Sequence, residues 1–349
     1  MKTKSAEGSG TKVSPAGQPL TIGLDRSGVP LTWEHHLAVW LWIGWIFWYL
    51  LLLLVFPPII YAAAVHDVAW ARSTCYYTGL ILFVFAILPC DRKCQPQWCL
   101  NIGDFIALRA TEYFNMQVLI EDEDSLKKSS PAFFVLEPHD VLPLSIIAFS
   151  DALGAVKGHR STGCITSMCF QVPFMRHFYS WAQAVPATRE VINDLLASGR
   201  SPLICPGGVQ EAALITSKNE VNVYLKKRKG FVKIAISHGA PVVPVFCFGL
   251  RNAYDFWLVK SDLLKWFGRK IGFMPMIFFG FGGIPYGPAK PCTFVNIVGK
   301  PIPTTKKAYK DITEEDVDEI HALYLAALEE LYHKHKADYG YEQTQLNIY

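Results

Sequence analysis

The chain has 349 residues, of which 51% are hydrophobic and 18% charged, and its net charge is +3. This charge is too small to predict nucleic-acid binding, and the composition is apolar for a soluble protein. Nine scattered cysteines without a glycosylation sequon predict reduced thiols and a cytosol-facing body, not a secreted disulfide scaffold. Cys90, Cys94 and Cys99 lie close together, but their spacing matches no zinc motif, so we expect structural thiols and no metal.

The N-terminal part is predicted to hold a disordered tail over residues 1–32 and a membrane hairpin over 33–90. The tail is rich in Gly, Ser, Pro and Lys. An uncharged run of 20 residues from Leu37 to Phe56 is long enough to span hydrocarbon, and Pro57-Pro58 is expected to end it. A second run, Thr74 to Leu88, is slightly short for a span. The hairpin is therefore transmembrane or membrane-embedded, and the alternative is a hairpin buried in a soluble protein.

Charge and tryptophan placement orient this hairpin. Lysines and arginines precede it and follow it at Arg92 and Lys93, whereas only Arg72 lies in its link. The positive-inside rule then places both flanks in the cytosol. Five tryptophans between Trp33 and Trp48 favour a position at the membrane interface.

Residues 100–340 alternate short apolar runs with helical stretches, a pattern typical of an α/β layer fold. Strands are predicted at Ala132–Leu136, Pro202–Cys205 and Val242–Phe246, and helices at Leu142–Phe149 and Lys229–His238. Gly239 should stop the second helix, and Pro244 should lie at a sheet edge or a bulge. Thr313 should cap a last amphipathic helix. The aromatic, glycine-rich stretch from Leu264 to Pro288 fits either core packing or lipid contact, including an acyl tunnel.

The segment Phe133–Asp140 ends a buried apolar strand at a histidine between two carboxylates. Pro138 disfavours a helix at Glu137, so the strand should end there and leave His139 at the edge of the core. Histidine suits proton transfer near neutral pH. A histidine that only caps a strand is the alternative.

Further short motifs follow one another in a fixed order. They are Tyr113–Val118, Glu137–Asp140, Pro206–Glu211, Arg228–Lys233, Val243–Val245, Gly280–Tyr286 and Val298–Ile302. Together with the preceding hairpin, this series resembles the type-2 diacylglycerol acyltransferase family, which includes monoacylglycerol and acyl-CoA wax-alcohol acyltransferases. The resemblance covers residues 100 to about 335 and implies a glycerolipid-acyltransferase-like mixed α/β sheet. It also implies an endoplasmic reticulum membrane enzyme that esterifies a hydroxyl lipid from acyl-CoA.

The tetrapeptide around His139 departs from the common family pattern. His-Pro-His-Gly is usual, and plant members often carry Glu-Pro-His-Ser, so Glu137 is similar to the plant and algal variant. Asp140 matches neither pattern, and Asn115 stands where proline is common. These departures bear on the choice of substrate more than on the type of reaction.

The resemblance and the residues together assign roles around His139, the expected general base. Glu211 is the expected partner of its ring, and Asp140 is a second candidate, with Glu137 also in the site. Glu211 could instead be a helix N-terminal carboxylate stabilised by the helix dipole. Backbone N–H groups of Gly207 and Gly208 are expected to stabilise the thioester oxyanion.

Basic residues at a predicted helix start suit the phosphates of coenzyme A. Arg228, Lys229 and Lys233 are the expected acyl-CoA contacts, and a solvated face or a lipid-headgroup patch is the alternative. Arg251 and His159 are weaker polar candidates.

We therefore expect an enzyme that acylates diacylglycerol to triacylglycerol without a cofactor, with acyl-CoA as co-substrate. Monoacylglycerol or a long-chain alcohol is an alternative acceptor, and a non-catalytic membrane-anchored lipid-binding protein is the alternative of another class. A phospholipid-type acyltransferase would carry His-x4-Asp, but Leu144 stands at that position. The expected partners are acyl-CoA, a hydroxyl lipid and membrane lipids, without nucleic acid, and a homo-oligomer remains open. The lipid-droplet surface is a second expected location.

Overall fold

The computed structural model describes residues 20–21, 30–88, 96–215, 217–258, 266 and 276–349. Helices α1–α9 are Trp33–Val65, Ala69–Ile87, Gln97–Tyr113, Glu123–Lys127, Met175–Trp181, Arg189–Ala197, Gly208–Ala212, Gly230–His238 and Glu314–His335. Strands β1–β12 are Leu20–Thr21, Gln117–Ile120, Phe133–Glu137, Ser161–Ile165, Val185–Pro186, Ser201–Ile204, Glu220–Val223, Val242–Phe248, Asp255–Leu258, Met276–Phe279, Val295–Val298 and Gln345–Ile348. Most of the predicted tail and of the stretch from Leu264 to Phe273 lies outside the described residues.

An eight-stranded mixed sheet in the order β1-β2-β11-β8-β3-β6-β4-β5 forms the centre of the protein. Strand β11 is antiparallel to β8 and β1 to β2, while the other neighbouring pairs are parallel. Two small ribbons, β9–β10 and β7–β12, flank it. The expected α/β fold is confirmed, with a parallel-rich sheet.

Alternating side chains of the central strands enter two hydrophobic cores, one on each face of the sheet. Phe134 and Leu136 of β3 enter the core that α1 and α3 cover. Phe133 and Val135 enter the opposite core, which α6, α8 and α9 cover. All five side chains of β3 are buried, because it lies between two other strands and under helices on both faces.

The first two helices pair as predicted, but the first one differs from a simple membrane span. Helix α1 runs through Pro57-Pro58, so the prediction that these prolines end it is wrong. Each proline removes one N–H donor, and the turns on either side keep the helix intact. Val39 and Ile43 are buried in the first core, so this half of the run contacts protein. Among the described residues, α2 is the one helix long and apolar enough to cross a membrane.

Pro244 lies in an interior strand, contrary to the edge or bulge that the sequence predicted. It is opposite Val135 on one side, and on the other its carbonyl accepts the N–H of Gly299, at 2.9 Å. The N–H and C=O of a strand residue point to the same side of the strand. The side on which Pro244 lacks an N–H therefore faces Gly299, which lies just beyond the end of β11. The sheet therefore loses one hydrogen bond at a strand end.

The other predicted elements agree with the structure. Gly239 adopts a left-handed conformation (φ +68°) at the end of α8 and stops it. Thr313 and Asp316 form the predicted capping box of α9. The segment Leu144–Phe149 is helical, but it is a 3-10 helix whose bonds join residues three apart.

Candidate active site

The candidate site lies at the carboxyl ends of three neighbouring parallel strands. Strand β3 ends at Glu137 and leads into His139, strand β6 leads into the Gly207–Gly208 turn, and strand β8 leads into Arg251. Parallel strands end at the same edge of a sheet, so residues distant in sequence meet there. The sheet therefore brings together Glu137, His139, Asp140 and Glu211, as the sequence predicted.

Two carboxyl groups, Glu137 and Glu211, are fully buried next to one another. Burial and the nearby Glu211 charge raise the pKa of Glu137 well above its ordinary value. Burial also raises the pKa of Glu211, although bonds from Glu137 and from backbone N–H groups oppose this effect. Like charges this close in a protein interior do not both ionise readily.

Glu211 holds the backbone, and not the ring, of His139. Its Oε1 accepts the N–H of His139 and, at 3.3 Å, the N–H of Asp140. The prediction that Glu211 orients the imidazole through its second nitrogen is therefore wrong. The reason is that β3 ends at Glu137, so the N–H groups of His139 and Asp140 lie beyond the strand and point to the Glu211 carboxylate on α7.

The imidazole of His139 is oriented by the backbone carbonyl of Asp140, which is 3.0 Å from Nδ1. A carbonyl only accepts, so Nδ1 carries the proton and Nε2 keeps a lone pair. Desolvation lowers the pKa of His139 below its ordinary value, opposed by the Asp140 carbonyl and charge. The ring is therefore neutral at pH 7 and able to accept a proton.

Asp140 shapes the turn that follows β3. Its φ of +50° lies in the left-handed region, where aspartate is tolerated better than most residues. Its Oδ1 accepts the N–H of Val141 at 2.7 Å, and this bond closes the turn. The carboxylate thus bonds to backbone rather than to the His139 ring. Burial raises the pKa of Asp140, while the Val141 bond and the Arg251 charge lower it.

The Gly207–Gly208 turn accommodates the acidic pair. A Cβ at Gly207 would lie 2.0 Å from Oε2 of Glu211, so a side chain does not fit there. The amide of Gly207 bonds to Glu137 and lowers its pKa. The N–H of Gly207 therefore already binds Glu137, contrary to the prediction that it stabilises the thioester oxyanion. Gly208 has φ +52°, which glycine adopts without strain, and begins α7.

The predicted basic cluster separates into three environments. Arg228 stacks over Tyr224, with the guanidinium carbon 5.4 Å from the ring centre, in a pocket that Gln210 also lines. Lys229 pairs with Asp318 of α9 at 2.5 Å, and Lys233 lies over Tyr309. Arg228 is thus the member of the cluster that shares a pocket with the Pro206–Glu211 motif.

Sequence reasoning missed two groups beside the acidic pair, one half-buried and one buried. The thiol of Cys205 lies 3.9 Å from Oε2 of Glu137, and Tyr324 of α9 interacts with both carboxyls. Tyr324 was visible only as one apolar position on an amphipathic helix, so no sequence signal identified it.

His159 is structural, because its two ring nitrogens contact Ser201 and the Leu126 carbonyl. Arg251 lines a small pocket with Asp140 and Glu211, and its guanidinium binds two backbone carbonyls.

Comparisons with known proteins identify the family of this chain. The model of the diacylglycerol acyltransferase family matches residues 70–349. Human diacylglycerol O-acyltransferase 2 is 29% identical over 97% of this chain and 89% of its own length. Mouse acyl-CoA wax alcohol acyltransferase 1 is 30% identical over 87% of this chain and 92% of its own. The crystal structure of the 1-acyl-sn-glycerophosphate acyltransferase PlsC from Thermotoga maritima covers 80% of this chain and 96% of its own, at 17% identity and a TM-score of 0.39. The chain is therefore an acyltransferase and belongs to the diacylglycerol acyltransferase family.

Proposed function

We propose that this protein transfers the acyl group of acyl-CoA to the free hydroxyl of diacylglycerol and forms triacylglycerol, with His139 as general base. The observation that carries the proposal is the state of the His139 ring. Nδ1 is held by the Asp140 carbonyl, and Nε2 has no hydrogen-bond partner among the described residues and is not sealed inside the protein. A neutral imidazole with one exposed lone pair suits proton abstraction from an alcohol.

The reaction proceeds in one complex without a protein nucleophile. Nε2 of His139 takes the hydroxyl proton as the alcohol oxygen attacks the thioester carbon. The C–S bond of the tetrahedral intermediate then breaks, and the coenzyme A thiolate leaves. The imidazolium returns the proton to this thiolate, so the products are an ester and free coenzyme A. Gly208 is the remaining glycine candidate for an oxyanion donor, because the Gly207 amide binds Glu137.

Acyl-CoA is proposed to bind with its phosphates near Arg228. This residue shares a pocket with Gln210, one position before Glu211, and its guanidinium suits bidentate phosphate binding. Lys229 and Lys233 are secondary contacts in this proposal, because each has a protein partner already. The acyl-CoA site needs no cofactor.

The membrane setting is proposed to be the endoplasmic reticulum, with the catalytic body on the cytosolic side and the lipid-droplet surface as a second location. Helix α2 supports this setting because it exposes large apolar side chains such as Tyr76, Ile81, Phe83 and Ile87. The position of His139 at the carboxyl edge of a parallel-rich sheet supports the proposed glycerolipid-acyltransferase-like arrangement. A hairpin of α1 and α2 would deliver the hydroxyl lipid to that edge.

The test is expression of the full chain in a host that lacks triacylglycerol synthesis, followed by a microsomal assay with labelled oleoyl-CoA and diacylglycerol. The wild-type protein should form labelled triacylglycerol. His139→Ala should lower the rate by about 100-fold or more at an unchanged protein level, as loss of a general base does. No acyl transfer to any hydroxyl lipid would refute the enzymatic proposal, and full activity of His139→Ala would refute the assigned base.

A long-chain alcohol is the second candidate acceptor. It is favoured by the mouse wax alcohol acyltransferase, which matches at 30% identity over nearly its whole length. The same microsomes should be given diacylglycerol, monoacylglycerol and hexadecanol in competition. A higher kcat/KM for hexadecanol than for diacylglycerol would replace the first candidate with the second.

A further inference from the structure

The acidic pair at the end of β3 consists of two carboxyl groups that are both buried. Among the described residues, no lysine or arginine forms an ion pair with Glu137 or Glu211. The groups that face the pair are the Cys205 thiol, the Tyr324 hydroxyl and the backbone N–H groups of Gly207, His139, Asp140 and Tyr224. Arg251 lines a small pocket together with Glu211, Asp140 and Glu220. The Arg251 guanidinium binds two backbone carbonyls, and its pocket also holds the acidic side chains of Asp140 and Glu220. Two negative charges on Glu137 and Glu211 would therefore repel each other, with backbone N–H groups and no ion pair among the described residues to stabilise them.

The hydrogen bonds of the pair are incomplete in a way that one proton would correct. Oε1 of Glu137 and Oε2 of Glu211 are both buried without a hydrogen-bond partner. The two side chains nevertheless lie within hydrogen-bonding contact of each other. Two acceptor oxygens in contact need one proton between them, because a buried polar atom left without a partner is destabilising. Glu211 accepts backbone N–H groups with its other oxygen, which favours its ionised form.

We propose that Glu137 is a neutral acid that donates a hydrogen bond to ionised Glu211, and that this pair positions His139. Glu211 in turn holds the backbone amides of His139 and Asp140, which fix the turn that aims the imidazole. Both glutamates are positioning residues, because neither touches the reacting ring nitrogen. This inference rests on the proposed function for its effect on catalysis, but the shared proton itself does not.

The shared proton gives the enzyme an upper pH limit. Burial raises the pKa of both carboxyls, so the pair holds its proton to a higher pH than an ordinary carboxyl and loses it as the pH rises through the raised pKa. The stability contributed by the protonated pair is fully present below the ordinary carboxyl pKa and is lost at alkaline pH. Above that limit, repulsion between the two carboxylates should displace Glu211 and with it the turn that carries His139.

The experiment compares full-length wild-type protein, Glu137→Gln and Glu137→Ala in detergent micelles. Glutamine keeps a donor towards Glu211 but cannot ionise, whereas alanine removes the donor. Glu137→Gln should keep at least a third of the wild-type kcat at pH 7 and lose the alkaline fall in kcat. Glu137→Ala should fall more than tenfold. Glu121→Gln is the matched control, because Glu121 pairs with Lys334 and His335 at a separate site.

Infrared spectroscopy tests the proton without relying on activity. The wild-type protein should show the carbonyl band of a buried neutral carboxylic acid at pH 7, and Glu137→Gln should remove it, while Glu121→Gln should leave it unchanged. Absence of that band in the wild type, or an unchanged alkaline limb in Glu137→Gln, overturns the proposal. Should the wild type acylate no hydroxyl lipid, the proposed function fails and the infrared band still decides the state of the pair.

Discussion

The carboxylate of Glu211 binds the backbone N–H of His139 and makes no hydrogen bond to its imidazole. The ring is oriented instead by the carbonyl of the following residue, Asp140, which fixes the proton on Nδ1. The acidic residue of the Pro206–Glu211 motif therefore supports the turn that carries the base. This arrangement differs from a triad, in which the carboxylate would bond directly to the imidazole.

The pH dependence of the reaction should show an acid limb below pH 6.5. His139 acts as a base only when neutral, and desolvation lowers its pKa below the ordinary value of about 6.5. Activity should therefore rise as the pH increases through that lowered pKa and be fully present at pH 7. The measurement is kcat/KM for the hydroxyl lipid between pH 5 and 8. An acid limb centred above pH 6.5 would contradict the assignment.

Gly207→Ala should disable the site without unfolding the protein. The added Cβ would lie 2.0 Å from Oε2 and 2.9 Å from Cδ of Glu211, so the carboxylate must move. Displacement of a positioning group by about 1 Å costs about 100-fold in rate, which is the expected fall in kcat. Gly103→Ala is the matched control, because its Cβ would meet its nearest atom at 3.6 Å, an ordinary contact. Equal activity of both variants would contradict the packing argument.

Asp140 should be replaceable by residues that tolerate its left-handed backbone. Asp140→Gly and Asp140→Asn should retain activity within about threefold, because both residue types adopt φ +50° with little strain. Asp140→Val should lose about 1–2 kcal/mol of stability, since a β-branched side chain is disfavoured in this region. Thermal unfolding in detergent and the kcat of each variant provide the measurement. Loss of activity in Asp140→Asn with an intact fold would show that the charge itself is required.

Arg228→Ala should weaken acyl-CoA binding with little effect on kcat. Loss of one charge-assisted phosphate contact corresponds to about 1.5–3 kcal/mol, which is a rise of roughly tenfold or more in KM for acyl-CoA. Lys229→Ala is the comparison, and its effect should be smaller because Lys229 already pairs with Asp318. Steady-state kinetics at low and high salt should separate the two, since salt weakens a phosphate contact. A larger effect from Lys229→Ala would move the proposed phosphate site.

A buried ion-pair network should anchor the first helix to the body. Glu112 of α3 accepts from His35 of α1 at 2.9 Å and from Arg109 at 2.8 Å, with His35 and Glu112 both buried. Glu112→Ala should lower the free energy of unfolding by about 3 kcal/mol, because it removes the buried carboxylate that binds His35, whereas Arg109 still pairs with Glu34. The exposed pair Glu123–Lys127 is the control, and Glu123→Ala should cost about 0.5 kcal/mol or less. Urea unfolding in detergent measures both changes.

The sequence by itself determined the family, the strand that ends at Glu137 and the identity of the residues that meet at the sheet edge. These features depend on local patterns: an apolar run, a proline that ends it and motifs in a fixed order. The sequence also predicted the stop at Gly239 and the cap at Thr313, because both depend on neighbouring backbone groups alone.

The tertiary structure alone decided which groups face each other across the fold. It placed the Glu211 carboxylate against the backbone of His139, paired it with Glu137 and put Tyr324 of a distant helix beside both. It also buried Val39, Trp42, Ile43 and Phe47 of α1 in the first core and left Pro244 inside the sheet. Burial, and the charge state that follows from it, depends on segments far apart in sequence. No local pattern therefore encodes the single proton that we assign to two adjacent carboxyl groups.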